Sequence, residues 1–161
     1  MKQGNQGAGQ ERVRLIPKRL RGPYSAALCN DPAPPELLLG IEQFNRGEFF
    51  EQHETLEELW RSEPDDVRYL YQGILQVGVG FYHLRRGNHR GAVSRLESGM
   101  EKLRWFAPRC RGVDVSALLA DTEECLHRLL DLGPDRTGDF DWSRVPKVRL
   151  IQGRGVSEGE S

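Results

Sequence analysis

His53 and Glu57 stand four residues apart in Phe49-Phe50-Glu51-Gln52-His53-Glu54-Thr55-Leu56-Glu57-Glu58-Leu59-Trp60. At about 100° per residue, Phe49, Phe50, His53, Leu56, Glu57 and Trp60 fall within about 60° of one line. An imidazole and a carboxylate therefore sit in the middle of an apolar stripe. Buried ionisable groups must be paired or change protonation, so this pair is the first candidate for chemistry. An i, i+4 His and Glu share one helical face as metal ligands do. The same pair could also serve as a general base with its orienting carboxylate. Glu54 lies at the edge of the stripe.

A second polar line runs along residues 67–84, where Gln72, Gln76 and His83 fall within about 40° of one another. Gly73 and Gly80 flank it, at roughly 1 kcal/mol of helix stability each relative to Ala. Missing side chains there imply a bulky neighbour, and Phe49, Phe50 and Trp60 of the preceding helix are the expected ones. That docking would bury His53 and Glu57 against Gln72 and Gln76. Three readings follow for His53, Glu54, Glu57, Gln72, Gln76 and His83. They form a structural polar core that sets register, a divalent-metal or small-ligand site with His53, Glu57 and His83 as ligands, or a hydrolase-like catalytic site. No nucleophile or phosphate-binding loop accompanies them, so the sequence does not decide whether the protein is an enzyme.

The elements that must position these residues are helical. Pro34 and Pro35 open an amphipathic helix carrying Leu37, Leu38, Ile41 and Phe44, which Asn45-Arg46-Gly47 ends. The Phe49–Trp60 helix follows and stops at Ser62-Glu63-Pro64. From Val67 to Leu84 almost every direction is apolar, which suits a central helix. Arg85-Arg86-Gly87-Asn88 allows only an antiparallel return into a helix lined by Ala92, Leu96, Gly99, Met100 and Leu103. Leu118, Thr122, Cys125, Leu126 and Leu129 mark the last helix, closed by Gly133-Pro134. No segment alternates as a strand does. The predicted fold is all-α, a compact bundle of about five helices with antiparallel hairpins, over residues 34–133.

Composition agrees with one domain and polar ends. The chain has 161 residues, 37% of them hydrophobic, and a mean hydropathy of −0.62. No apolar run reaches the roughly 20 residues of a membrane span, and no secretory signal opens the chain, so a soluble cytoplasmic protein is expected. Cys29, Cys110 and Cys125 show no Cys-x-x-Cys pairing, which predicts reduced thiols. Residues 1–33 carry six Lys or Arg against two acids, whereas 34–138 carry thirteen against eighteen. The 1–33 segment reads as a disordered basic arm, and any nucleic-acid contact would run through its Arg12, Arg14, Lys18, Arg19 and Arg21. In the tail, 134–161, the apolar side chains of 139–151 predict partial packing, with a disordered end. Leu59, Tyr71 and that tail leave apolar surface for weak self-association or a protein partner.

Phe44-Asn45-x-Gly47-Glu48-x-Phe50-Glu51-x-His53-Glu54-x-Leu56-Glu57-x-x-Trp60, with Gln72-Gly73-Ile74-x-Gln76 and Tyr82-His83-Leu84-x-x-Gly87-Asn88-x-x-Gly91-Ala92, resembles the family called domain of unknown function 309. The resemblance covers roughly residues 38–104. It implies a small all-helical bacterial or archaeal protein and supplies no reaction. His53, Glu54, Glu57, Trp60, Gln72 and Gln76 correspond to the family's signature positions. The Gly87-Asn88 turn with its flanking helices also looks like one tetratricopeptide-type hairpin. A protein-interaction scaffold is thus the leading functional expectation, with the metal or ligand site as its rival.

Overall fold

Pro35 at the first helical position needs no amide partner, and Glu36 favours the same end; α1 runs Pro35–Asn45 from there. Gly47, at φ +77°, turns the chain through the left-handed region that favours glycine. α2 follows at Phe49–Ser62 and α3 at Arg68–Arg85. Gly87, at φ +76°, repeats the device before α4, His89–Leu103. α5, Val115–Leu132, is capped by Asp114, whose carboxylate accepts from the Ala117 amide at 3.0 Å. The computed structural model describes residues 22–151.

Packing is sequential and antiparallel, as the short loops require. Gly40 of α1 meets Leu56 of α2, Phe49 near the start of α2 lies 5.9 Å from Phe81 near the end of α3, and Gly73 and Gly80 of α3 meet Leu103 and Leu96 of α4. His89 at the start of α4 contacts the Leu129 carbonyl near the end of α5 at 2.7 Å. α3 is the central element: Leu70, Tyr71, Ile74, Val77 and Phe81 are all wholly buried. Each such side chain is worth about 1.5–3 kcal/mol of burial. The fold is all-α, and Leu59 and Tyr71, expected to leave apolar surface, belong to the core.

A small β element departs from the sequence expectation. Strands β1, Arg109–Cys110, and β2, Val113–Asp114, pair antiparallel across Arg111-Gly112. Both loop residues have positive φ, 52° and 81°, as the tight hairpin turn whose twist matches its strands demands. Two-residue strands are too short for an alternating pattern to register. The C-terminal segment lines up beside β2, with the Asp114 amide donating to the Arg149 carbonyl at 2.9 Å and the Ile151 amide to Gly112 at 2.7 Å. Phe140 and Val148 of this segment are buried.

Residues 22–33, which fall within the segment expected to be a disordered arm, pack on the helical domain. Tyr24 is buried and stacks on Tyr69 of α3 at 4.2 Å. The Arg111 guanidinium donates to the carbonyls of Leu28 and Pro32, and Cys29 is disulfide-bonded to Cys110 across 81 residues of sequence. The expectation of reduced thiols is therefore corrected for two of the three cysteines; Cys125 is free and buried. Arg12, Arg14, Lys18, Arg19 and Arg21 of the basic arm, and the tail from 152, lie outside the described residues. No helix among the described residues is long and apolar enough to cross a membrane.

Candidate functional site

The face that α2 buries is set by Phe49, Gln52, Leu56 and Leu59, a line turned away from the one centred on His53. The expected burial of His53 and Glu57 is thereby corrected. Their side chains remain 37% and 33% exposed, with His53 Nε2 3.4 Å from Glu57 Oε1. Glu57 also takes a guanidinium hydrogen bond from Arg61 at 2.9 Å. Three residues one turn apart thus form an ordinary partly solvated ladder along the helix. Glu54 is exposed beside it.

Gln52 is the polar residue that the stripe conceals. It is wholly buried, and its Nε2 donates to the Leu75 carbonyl of α3 at 3.3 Å. A Cβ on Gly78 would lie 2.4 Å from that nitrogen, so Gly78 is the glycine that admits α2. Gly73 and Gly80 have another purpose. Their missing side chains admit Leu103 and Leu96 of α4, which corrects the expected docking of Phe49, Phe50 and Trp60 there. Phe49 packs instead on Phe44 and Phe81. Phe50 is 51% exposed, its ring 6.2 Å from Tyr82. Trp60 lies under the Arg68 guanidinium at 4.5 Å.

The second polar line divides between neighbours. Gln76 leans toward α4 and accepts from Lys102 Nζ at 3.1 Å. His83 Nδ1 lies 3.3 Å from the Asn88 amide nitrogen. Partial burial, then the Arg95 and Arg86 charges, hold the His83 imidazole below its ordinary pKa. Gln72 is half-buried and shares with His83 the outer line of α3. No hydrogen bond or ion pair among the described residues joins His53 or Glu57 to Gln72, Gln76 or His83. Nor do any three His, Cys, Asp or Glu side chains among the described residues converge as a metal would require. A divalent ion held by His53, Glu57 and His83 would need all three donors within about 2–2.6 Å of one point.

Much of the motif pattern has a structural explanation. After the Gly87 turn, Asn88 Oδ1 accepts from the Gly91 amide at 2.9 Å and caps α4. A side chain on Gly91 would strike Asn88 Nδ2 at 2.6 Å and the His83 ring at 3.0 Å. His83, Asn88 and Gly91 are thus one cap. Asn45, before the Gly47 turn, pairs its side-chain amide with both the amide and the carbonyl of Val148, fastening the C-terminal segment to α1. Sequence reasoning missed Gln52 and the Asn45 clamp. A glutamine flanked by Phe49 and Leu56 on one helical line was the available signal for the first; the second depends on a partner 103 residues away.

Comparison with known proteins places these elements in context. The family described as Domain of unknown function (DUF309) matches residues 37–95, from α1 into the middle of α4. An uncharacterized protein of Aquifex aeolicus (strain VF5) is 23% identical over 84 residues, 52% of this chain and 25% of that protein. The uncharacterized protein YpuF of Bacillus subtilis (strain 168) is 46% identical over 57 residues, 35% of this chain and 33% of that protein. The chain thus spans a quarter and a third of the lengths of these two relatives. The two glycine turns, α2, α3 and the α4 cap fall inside the segment, residues 37–95, over which this chain is similar to the DUF309 family.

Proposed function

We propose that the helical domain is a protein-binding module whose docking face is the outer surface of α2 with the adjoining edge of α3. Phe50 carries this reading. It is 51% exposed yet backed by the Tyr82 ring, and an aromatic held in place on an open surface suits an interface anchor. Around it α2 presents Glu51, Glu54 and Glu58 exposed and Glu57 half-buried, with Arg61 the cation of the same helix. A complementary partner is a basic segment with an apolar side chain to cover Phe50. The rival metal or small-ligand site has less support, since no three His, Cys, Asp or Glu donors converge among the described residues.

A photo-reactive amino acid at position 50, compared with one at Leu130, tests the proposal; Leu130 is equally open, at 52% exposure, but lies on α5. A discrete partner crosslinked from position 50 and not from 130 is expected. The crosslink should weaken with added salt and disappear in a Glu54→Lys, Glu58→Lys variant. Equal products from both positions, or a crosslink indifferent to those charge reversals, would reject it.

A further inference from the structure

A second surface feature lies where the α1–α2 turn meets the C-terminal segment. There Arg46, Arg85 and Lys147 line a cleft of about 380 Å³. No Asp or Glu among the described residues lines it. Arg46 is paired with Glu42, whereas Arg85 and Lys147 spend only part of their donor capacity on backbone. One Arg85 nitrogen donates to the Gly47 carbonyl at 2.8 Å, and Lys147 Nζ donates to the Asn45 carbonyl at 2.8 Å. Five guanidinium and three ammonium N–H groups are available to such side chains in all, so both cations retain donors.

Arg85 is also fixed in place. Its guanidinium lies over two aromatic rings, 5.1 Å from the centroid of Phe49 and 5.7 Å from that of Trp142. These two cation–π contacts and the Gly47 bond reduce the side-chain freedom that a surface arginine would lose on binding an anion. Lys147 is held by the same clamp that joins Asn45 to Val148. The cleft therefore combines two preorganised cations with apolar walls from Phe49, Trp142 and Pro146. The carboxylate nearest in sequence to the Trp142 wall, Asp141, is bonded to the amide and hydroxyl of Ser143.

We propose that this cleft binds a phosphate-bearing small molecule, its phosphate between Arg85 and Lys147 and an apolar or aromatic body against Trp142. Arginine and lysine together suit a phosphate, the fork fixing direction and the ammonium adding charge. Phenyl phosphate is the probe, titrated into the full chain at constant ionic strength while the indole N–H resonances of the three tryptophans are followed. A saturable shift confined to Trp142 is expected, with Trp60 and Trp105 unmoved. Lys147→Gln should weaken it by about tenfold, the usual worth of one charged hydrogen bond. Lys147 is exposed, so the variant should fold; Arg85→Lys, which keeps the charge and loses the stacked fork, gives a second reading and should also weaken binding. Absence of a saturable Trp142 shift up to about 10 mM, ten times a millimolar Kd, would overturn the proposal. So would an equal shift from sodium sulfate, or one unaffected by both variants.

Discussion

Gly73 and Gly99 face each other across α3 and α4 with no side chain between them. A Cβ on Gly99 would stand 2.8 Å from the Gly73 carbonyl oxygen, and one on Gly73 would stand 3.1 Å from the Gly99 carbonyl. This backbone approach lets α4 lie close enough for Leu96 and Leu103 to fill the spaces beside Gly80 and Gly73. Gly99→Ala sets two effects against each other. Alanine favours the helix by about 1 kcal/mol, while overpacking costs about 1–3 kcal/mol. Since two of the three atoms met, the Gly73 oxygen and the Val77 nitrogen, are backbone and cannot rotate away, and the third is a methyl of the β-branched Val77, overpacking should win and the variant should lose about 1–2 kcal/mol in chemical denaturation. Gly138→Ala, where nothing lies within 4 Å, should change stability by less than about 0.5 kcal/mol. A neutral Gly99→Ala would mean the helices are further apart than described.

The Cys29–Cys110 bond closes a loop across 81 residues of sequence and pins residues 22–33 beside β1. Restricting the unfolded chain in this way is worth typically 2–4 kcal/mol. Reductant, or a Cys29→Ser, Cys110→Ser double variant, should lower stability by about that amount while leaving α1–α4 helical. Counting thiols in denaturant without reductant checks the bond itself. One reactive thiol per chain, Cys125, is expected, and three would refute the pairing.

The helices were legible because their signals are local. Pro35, the glycines at 47 and 87, and the apolar recurrence of residues 67–84 act within a few residues of where they stand, and these mark the limits of α1 to α4. The direction each helix faces was less legible. Counting Phe50 and Trp60 as apolar pulls the centre of α2 toward His53, but Phe50 lies outside on Tyr82 and Gln52 lies inside against Gly78. Hydropathy cannot distinguish an aromatic that covers a surface from one that fills a core. The glycines of α3 were legible as sites of close approach, though not which helix approached. The disulfide, the Asn45 clamp and the strand-like C-terminal segment all depend on partners far away in sequence, and no periodicity records them.

His83 provides a pH-dependent term with a definite sign. Burial, then Arg95 and Arg86, lower its folded pKa, so the unfolded chain takes up the proton first as pH falls. Its contribution to stability is complete above the unfolded value of about 6.5. It is lost as pH falls from there through the folded value. His83→Gln should flatten the stability profile relative to wild type as pH falls below about 6.5, and an unchanged slope would contradict the assignment. Gln can still accept from Asn88, so the α4 cap should survive in the variant.

The orientation of α2 is tested most directly by comparing adjacent residues, Gln52 and His53. Gln52 is wholly buried, bonded to the Leu75 carbonyl through Nε2, and its Oε1 has no hydrogen-bond partner among the described residues. Gln52→Ala removes packing against Gly78 and should cost about 1–3 kcal/mol. Gln52→Met keeps the length of the side chain and removes the unsatisfied oxygen. Because a buried group without a partner itself costs about 1–3 kcal/mol, this variant should be near neutral or more stable than wild type. His53→Ala loses only a partly solvated contact with Glu57, which retains Arg61, and should cost less than about 1 kcal/mol. Urea denaturation of the three variants gives the ranking. A larger loss for His53→Ala than for Gln52→Ala would return His53 to the interior and restore the buried His53–Glu57 pair as the centre of the fold.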